Sequence, residues 1–387
     1  MMENIKVGII GAGFMGSSHL ENLRRVPGIK ILALADSNKA SAQKLADKFN
    51  IPGVYSDWKE LLQNSEIQAV HNCTPNYLHF EINKAAILAG KAIISEKPLT
   101  NTVAEAEELV CLAEEKNVLN AVNFSYRNYP MPQQVRHFVA EGKVGDIYLV
   151  HGHYLQDWLL YPDDYNWRID PEWGGESRAV ADIGSHGCDL IQFLTGQNIS
   201  AVFADLQTIH KTRLKSKENV ETFKGREIEK SSEAYEVAVK TEDIGIILFQ
   251  LEKGGRGVFT VSQVSAGHKN CFDLEINGSR MSVSWNQEAP NQLWFGYREK
   301  ENGLLVKDPS LLTGTSLSYA HYPGGHPEGY PDAFKNLFLN FYSAFQKKQM
   351  AMEKQAFPTF KDGLQENRIV EAVLQSNLKK KWVSVKF

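Results

Sequence analysis

The chain has 387 residues, 43% of them hydrophobic, and a formal net charge of −4 at pH 7. This length suggests two or three domains, and the mild charge argues against a nucleic-acid-binding protein, which would carry a basic patch. No apolar run approaches the roughly 18–20 residues of a membrane span, and the N-terminus has no signal-peptide pattern. The four cysteines are widely spaced. They form no metal-binding pattern, and we expect thiols in a reducing cytoplasm.

The first part of the chain alternates between short apolar runs and helical patterns. Strands are predicted at 6–10, 30–35, 69–73, 92–95 and 119–123. Helices are predicted at 14–26, 39–49, 77–89 and 103–116. Strands that alternate with helices of this length indicate βαβ units around a parallel sheet. We therefore predict a first α/β domain over residues 1–123.

After about Phe124 strands begin to dominate. Helices are predicted near 133–141, 179–194, 332–347 and 363–378, and strands at 147–155, 244–251, 257–264, 272–276 and 281–285. The Asn277-Gly278 pair indicates a hairpin turn between the last two strands. The polar stretch 211–232 is expected to be an exposed loop, and 382–386 an edge strand. Runs of strands with few helices favour an antiparallel or mixed sheet, so we predict a second domain over residues 124–387.

A glycine-rich turn follows the first predicted strand and opens the first helix. Gly11, Gly13 and Gly16 have the spacing that permits a tight turn, a close approach to a pyrophosphate and close helix–strand packing. Asp36 ends the next strand, where a carboxylate accepts hydrogen bonds from the adenine ribose. The alternative is a glycine-rich turn in an unrelated α/β protein. A 2′-phosphate would meet a like charge at Asp36, which favours NAD. Lys39 leaves NADP open, because its side chain could reach that phosphate.

Two further motifs suit chemistry on a hydroxyl group. Glu96-Lys97-Pro98 follows a predicted strand, at the edge where open α/β sheets bind ligands. Lys97 could stabilise negative charge on a substrate oxygen, or be an ordinary surface lysine. Asp182, His186 and Asp189 have a spacing that shares one helical face. A carboxylate there could orient an imidazole that removes a hydroxyl proton, although a capping Asp beside a structural His explains the same spacing.

In order and spacing these motifs resemble those of the glucose–fructose oxidoreductase / inositol dehydrogenase (Gfo/Idh/MocA) family. The matching residues are the glycine fingerprint, Cys73-Thr74-Pro75-Asn76 with His79, Glu96-Lys97-Pro98, and Asp182 through His186. The resemblance covers the first domain and the front of the second. It implies a Rossmann domain followed by an α/β domain with a large, mostly antiparallel open sheet. It also implies hydride transfer between nicotinamide and a sugar or polyol carbon.

The resemblance implies a role for each matching residue. Lys97 would polarise the reacting hydroxyl, His186 would be the general base, and Asp182 its partner or a substrate contact. The residues implied to contact the cofactor are Gly11, Gly13, Phe14, Met15, Gly16, Asp36, Ser37, Thr74, Pro75, Asn76, His79, Glu96, Lys97 and Asn123. The family often forms homodimers or homotetramers, and a C-terminal helix is expected to pack back on the first domain.

Several polar and aromatic side chains are candidates for binding a polyol, which needs hydrogen bonds beside an aromatic wall. The candidates are Tyr126, Arg127, Asn128, His153, Trp167, Arg168, Asp182, His186 and His326. Packing or surface polarity explains each of them equally well. The segment 321–332 resembles that of members which oxidise cyclic sugars, such as levoglucosan and glycoside-3-dehydrogenases, although Asp332 could instead cap a helix. We see no basic cluster to clamp a phosphate, which favours a neutral sugar or polyol.

The motifs therefore predict an NAD-dependent sugar or polyol dehydrogenase with no resident metal. One alternative is an NAD-dependent glycosidase that returns the hydride within one catalytic cycle. Another is a non-catalytic regulator that senses nucleotide or sugar, which the presence of both Lys97 and His186 disfavours. A nucleotide-binding structural protein is a further alternative.

Overall fold

The structure is a computed structural model that describes residues 4–216, 234–349 and 355–386. The chain divides into two compact units. The first unit comprises Met1–Ser125 and Tyr330–Asn367, and the second comprises Tyr126–Gly329 and Arg368–Phe387. The predicted boundary lies at residue 123, with a C-terminal helix expected to pack back on the first domain, and this division assigns 330–367 to the first unit.

Strands and helices alternate through the first stretch of the first unit. The strands are β1 (Ile5–Ile10), β2 (Ile29–Ala35), β3 (Gly53–Tyr55), β4 (Ala69–Asn72), β5 (Ala92–Ser95) and β6 (Asn120–Val122). The helices are α1 (Phe14–Leu23), α2 (Lys39–Phe49), α3 (Trp58–Gln63), α4 (His79–Leu88) and α5 (Val103–Glu115). The strands pair in parallel in the order β3-β2-β1-β4-β5-β6, which confirms the predicted Rossmann sheet. The short β3 and α3 carry too few residues for a periodic signal.

The rest of the chain is dominated by strands. Its helices are α6 (Pro130–Ala140), α7 (Pro171–Gly174), α8 (Ser185–Thr195), α9 (Tyr330–Gln346) and α10 (Phe360–Lys379). Its strands are β7 (Ile147–Leu155), β8 (Ile199–Gln207), β9 (Thr212–Ser216), β10 (Ala234–Ala238), β11 (Ile244–Leu251), β12 (Arg256–Ser262), β13 (Cys271–Gly278), β14 (Ser282–Asn286), β15 (Gln292–Gly296), β16 (Gly303–Val306) and β17 (Val383–Ser384). A π-helical turn, Val180–Gly184, precedes α8. Short 3₁₀ helices occupy Asn76–Leu78, Ser125–Asn128, Trp167–Ile169, Pro309–Leu311 and Gly314–Tyr319.

The second unit is built on a mixed sheet. Over the described residues its strand order is β16-β15-β14-β13-β7-β12-β11-β8-β17, and every neighbouring pair is antiparallel except β7 with β12. This confirms the predicted large, mostly antiparallel sheet. The predicted edge strand at 382–386 is represented by β17, which pairs with β8.

Two local predictions need correction. Asn277 and Gly278 are the last residues of β13 rather than the turn, because Asn277 pairs with Ser282 and the Gly278 amide donates to the Met281 carbonyl at 3.1 Å. The hairpin loop is therefore two residues later than the Asn-Gly signal indicates. The stretch 211–232 opens with β9, which pairs with β10, instead of a loop. The remainder of that predicted loop, 217–232, lies outside the described residues.

Helix α9 belongs to the core of the first unit. Phe334, Leu337, Phe338 and Phe341 recur at helical spacing, and each is fully buried in the cluster that contains Leu20 of α1. An apolar stripe of this kind must pack against other elements. This burial explains why the chain returns to the first unit after residue 329. Among the helices of the described ranges, none is long and apolar enough to cross a membrane.

Candidate active site

The glycine turn between β1 and α1 is tight at its ends and open in its middle. Gly11 has a φ of +101°, and a Cβ there would lie 2.6 Å from the Cys73 carbonyl oxygen. A Cβ on Gly16 would lie 1.9 Å from the Gly11 carbonyl oxygen. Around Gly13, in contrast, no atom of the described residues comes within 4 Å of the Cβ position. The first and third glycines therefore serve packing, and the second leaves room for a pyrophosphate.

Asp36 completes this half of the site. Its Oδ2 accepts a hydrogen bond from the Ala12 amide at 2.7 Å, and its Oδ1 accepts one from the Asn38 amide at 2.8 Å. The carboxylate is thus fixed between the glycine turn and the start of α2. Each carboxylate oxygen has a second lone pair, so ribose hydroxyls can still be accepted. The turn and this acid fit the adenosine and pyrophosphate of NAD. Phe14, about half exposed at 51%, and Met15 begin α1, and exposed Ser37 follows the acid.

His79 lies beside two backbone carbonyl groups. Its Nδ1 lies 2.7 Å from the Pro98 carbonyl oxygen and its Nε2 lies 2.9 Å from the Thr74 carbonyl oxygen. Burial lowers the pKa of His79, so the ring is neutral near pH 7 and its one N–H donates to one of the two oxygens. A cofactor contact by this fully buried ring stays a prediction. Thr74, Pro75 and Asn76 do lie at the carboxyl end of β4, where ligands bind in such sheets.

Glu96 ends β5 and anchors a buried polar network. Its Oε1 accepts hydrogen bonds from His19 Nε2 at 2.7 Å and from Asn123 Nδ2. His19 Nδ1 lies 2.8 Å from His71 Nδ1, and His71 Nε2 lies 2.8 Å from the Tyr342 hydroxyl. Burial raises the pKa of Glu96, but the His19 and Asn123 hydrogen bonds and the Lys97 charge outweigh it and hold the pKa below its usual range. Glu96 is therefore a carboxylate near neutral pH.

The buried histidines make the protein sensitive to acid. Burial lowers the pKa of His71 well below its usual range, and burial also lowers that of His79. Unfolding exposes both rings, which then bind protons near their ordinary pKa of about 6.5. Below that pH the unfolded chain binds more protons than the folded chain, so stability falls as pH falls. We expect a lower thermal midpoint at about pH 5.5 than at about pH 7.5, by about 2–4 °C for each kcal/mol lost.

Glutamine variants test whether His71 causes this dependence of the thermal midpoint on pH. His71→Gln keeps a polar side chain but takes up no proton on unfolding, so the thermal midpoint should depend less steeply on pH. His210→Gln, at a partly exposed position, should leave the slope unchanged. Equal slopes in all three proteins, measured by scanning calorimetry, would contradict the assignment.

Asp182 lies in a π-helical turn, Val180–Gly184, that leads directly into α8, which carries His186 and Asp189. The backbone hydrogen bonds of this turn span five residues. The shared helical face of the three residues stays a prediction. Gln263 Nε2 donates to Asp182 Oδ2 at 2.9 Å, and Arg168 Nε lies 3.3 Å from Oδ1. The Arg168 guanidinium also covers the Trp167 ring at 4.3 Å. The predicted residues Trp167, Arg168 and Asp182 are thus brought together.

Arg127 and Asp189 form a pair of their own. Arg127 Nε donates to Asp189 Oδ2 at 2.7 Å and Nη2 donates to Oδ1, which gives a bidentate pair with a buried carboxylate. The guanidinium also lies over the Phe193 ring at 5.2 Å. This geometry fixes the 3₁₀ turn that holds Tyr126, Arg127 and buried Asn128 to α8. A sugar contact by Arg127 stays a prediction.

His186 is surrounded by tyrosines. The Tyr126 ring meets the imidazole edge-on at 4.9 Å, and Tyr154 lies at 6.4 Å. The two hydroxyls are 2.7 Å apart, Tyr154 donates to Asn270 Oδ1 at 2.6 Å, and Asn270 Nδ2 donates to the Tyr126 oxygen at 3.2 Å. Each of the three groups both donates and accepts. Burial raises the pKa of Tyr126, so its hydroxyl stays protonated.

Two substrate predictions in this unit, His153 and His326, stay predictions. Side chains alternate along a strand, so Tyr154, which faces His186, leaves His153 on the opposite face of β7. There His153 Nε2 lies 3.5 Å from Cys271 Sγ. His326 is exposed, and its Nδ1 lies 3.2 Å from the Gly324 carbonyl oxygen. Asp332 is the third residue of α9 and pairs with Arg25.

The sequence analysis missed Tyr154, Asn270 and Gln263. The sequence contains a signal for Tyr154, because side chains alternate along β7 and Tyr154 is the neighbour of the candidate His153 on the opposite face. Gln263 and Asn270 follow β12 and precede β13, and no motif marks them.

Family comparisons cover most of the chain. Residues 5–124 match the model described as "Oxidoreductase family, NAD-binding Rossmann fold", and residues 133–284 match the Gfo/Idh/MocA C-terminal domain. The levoglucosan dehydrogenase of Pseudarthrobacter phenanthrenivorans is 30% identical over 99% of both chains. The chain belongs to the Gfo/Idh/MocA family. It is therefore an NAD-binding oxidoreductase, as the resemblance implied.

Other relatives and solved structures agree with this membership. Inositol 2-dehydrogenase of Salmonella typhimurium is 28% identical over 51% of this chain and 56% of its own. A levoglucosan dehydrogenase solved with NADH and levoglucosan has a TM-score of 0.89 at 27% identity, with both chains fully covered. An inositol dehydrogenase homologue from Azotobacter vinelandii, solved with NAD+, has a TM-score of 0.85 at 26% identity over 99% of this chain and 98% of its own.

Proposed function

We propose that this protein is an NAD-dependent dehydrogenase that oxidises a secondary hydroxyl of a neutral cyclic sugar or polyol. The observation that carries the proposal is the full-length similarity to levoglucosan dehydrogenase. The arginines among the substrate candidates support a neutral substrate, because Arg127 pairs with Asp189 and Arg168 with Asp182. Each guanidinium is therefore paired with a carboxylate of this chain, which disfavours binding of a substrate phosphate.

We assign each catalytic step to a named residue. NAD, when bound, supplies the hydride acceptor. His186 takes the hydroxyl proton, the electron pair of the O–H bond forms the C=O bond, and the hydrogen on that carbon leaves with its electron pair as hydride. Lys97 donates a hydrogen bond to the reacting oxygen and stabilises the negative charge that develops there. Asp182, fixed by Gln263 and Arg168, contacts the substrate or supports the imidazolium.

The cofactor is held by residues of the first unit in this proposal. The glycine turn and α1 receive the pyrophosphate, and Asp36 receives the adenine ribose. Thr74, Pro75, Asn76, Glu96 and Asn123 lie at the carboxyl ends of β4, β5 and β6 and flank the nicotinamide half. We assign NAD rather than NADP, because the fixed Asp36 carboxylate would repel a 2′-phosphate.

We also propose a cytoplasmic homodimer or homotetramer. All four cysteines are free thiols, which suits a reducing compartment. Exposed apolar side chains recur on strands of the mixed sheet, among them Tyr148, Ile246, Leu248 and Leu304. Exposed apolar groups on one sheet are typical of a surface that another subunit covers.

The experiment is a substrate panel followed at the nicotinamide absorbance. Levoglucosan, myo-inositol, glucose and glucose phosphate would each be offered with NAD and with NADP. We expect NADH to accumulate with a neutral sugar or polyol, at least about tenfold faster than NADPH, since a like charge at the ribose costs about 1.4 kcal/mol or more. Release of a sugar from a glycoside without NADH accumulation would instead identify a glycosidase. No reduction with any compound would contradict the proposal.

A further inference from the structure

Lys97 lies between two anchored neighbours. On one side, Glu96 Oε1 accepts the hydrogen bond from His19 Nε2 at 2.7 Å. On the other side, the Pro98 carbonyl oxygen lies 2.7 Å from His79 Nδ1. Both imidazoles are 0% exposed. The residues that precede and follow Lys97 are therefore each held by a buried histidine from a different helix, α1 and α4.

The His79 anchor joins two loops. Its second nitrogen, Nε2, faces the Thr74 carbonyl oxygen at 2.9 Å, so one ring links the loop after β4 to the loop after β5. At the end of β4, the side-chain oxygen of Asn72 accepts a hydrogen bond from the Thr74 hydroxyl at 2.7 Å. The two ring nitrogens face two carbonyl oxygens, and a neutral imidazole has one N–H, so it donates to one of them. The shorter contact assigns that N–H to Nδ1, which donates to the Pro98 carbonyl, one residue from Lys97.

The His19 anchor is fixed from behind. Because Glu96 is a carboxylate, His19 Nε2 must carry the proton that it donates. His19 Nδ1 lies 2.8 Å from His71 Nδ1, and His71 Nε2 lies 2.8 Å from the Tyr342 hydroxyl. His71 and Tyr342 thereby hold the His19 ring in the orientation that points Nε2 at Glu96.

We propose that His19 and His79 are positioning residues that hold the Glu96 carboxylate and the Pro98 carbonyl on the two sides of Lys97, so that its side chain meets the reacting oxygen in one fixed geometry. This inference rests on the proposed function, in which Lys97 contacts the substrate hydroxyl. Neither histidine touches substrate. Displacing a catalytic group by about 1 Å costs about a hundredfold in rate. Loss of either anchor should therefore lower kcat and leave the Kd for NAD nearly unchanged.

The two anchors use different ring nitrogens, and this gives a matched test. An asparagine amide can replace Nδ1 of histidine, and a glutamine amide can replace Nε2. His79 holds Pro98 through Nδ1, so His79→Asn should keep the anchor and His79→Gln should lose it. His19 holds Glu96 through Nε2, so His19→Gln should keep the anchor and His19→Asn should lose it. We expect kcat to differ by about tenfold within each pair, in opposite order at the two positions.

A purely structural role predicts the same order at both positions, set by side-chain volume and polarity. The kcat of each variant would be expressed per NADH-binding site, counted by fluorescence titration, so that misfolded molecules do not enter the rate. His151→Gln, on the partly exposed face of β7, is the control and should keep the wild-type kcat. The same order at positions 19 and 79, or no difference within either pair, would overturn the inference.

A double variant separates this inference from the proposed function. In a Lys97→Met background, His79→Gln should cause no further loss of kcat, because the group that it positions is gone. An additive loss would show that His79 acts through something other than Lys97. If Lys97→Met alone kept normal turnover, the proposed function itself would fail. If Lys97→Met were inactive but the paired variants showed no reversed order, only the positioning role would fail.

Discussion

Replacing Lys97 with methionine is expected to lower kcat by about 10²–10³-fold, the usual cost of removing one donor to a developing oxyanion. Methionine keeps the length and apolar stem of lysine but has no ammonium group. The Kd for NAD should change by less than about twofold, because the substitution leaves unchanged the glycine turn and Asp36, which would hold the pyrophosphate and the adenine ribose. The neighbouring Glu96 should remain held by His19 and Asn123, so the fold around the site should persist.

The measurement is steady-state turnover with the best sugar of the substrate panel, beside a fluorescence titration with NADH. Lys84→Met is the matched control, because Lys84 is a partly exposed lysine of the same unit that pairs with Glu108. It should keep the wild-type kcat and Kd. A Lys97→Met protein with near-normal turnover would remove Lys97 from the mechanism.

The parts of the site that could be predicted are those with local causes. The glycine turn needs only the residues of one strand and one helix, and Gly11 and Gly16 occupy positions where a side chain would meet backbone atoms. Asp36 follows from the length of one βα unit. The glycine turn and the position of Asp36 at the end of β2 depend on residues that are close together in the sequence, and both occur at the predicted positions.

The network behind Glu96 has no local cause. His19, His71 and Tyr342 come from α1, β4 and α9, and the return of α9 to the first unit brings the tyrosine to the histidines. In the sequence, each of these three residues looks like an ordinary buried or helical residue. A hydrogen-bonded chain of this kind depends on long-range packing, which single-sequence periodicity does not report.

In the second unit the neighbours of each candidate residue depend on phase. A strand reverses its faces with every residue, so Tyr154, whose ring lies 6.4 Å from that of His186, and His153 lie on opposite faces of β7. Asp182 lies in a π turn, whose hydrogen bonds span five residues instead of four, and the spacing rule for a regular helix does not report such a turn. The residue types are visible in the sequence, but their neighbours depend on long-range packing.

His186→Gln is expected to lower kcat by about 10²–10⁴-fold, the range for loss of a positioned proton acceptor. Glutamine retains a polar side chain beside Tyr126 and Tyr154 but cannot accept a proton near neutral pH. The closed ring of Tyr126, Tyr154 and Asn270 hydrogen bonds does not include the imidazole, so it should survive the change. The Kd for NAD, whose proposed ligands all lie in the first unit, should be unaltered.

Two measurements separate lost proton transfer from lost structure. Added imidazole should restore part of the rate of His186→Ala, whose small side chain leaves room for the free base that takes the hydroxyl proton. It should not restore Lys97→Met, which lacks a hydrogen-bond donor rather than a base. His210→Gln, whose histidine Nε2 lies 2.9 Å from the Leu160 carbonyl oxygen, is the control for losing a histidine of this unit. Equal rescue of the Lys97 and His186 variants, or full turnover without His186, would remove the division of labour in which one residue stabilises the oxygen and the other accepts its proton.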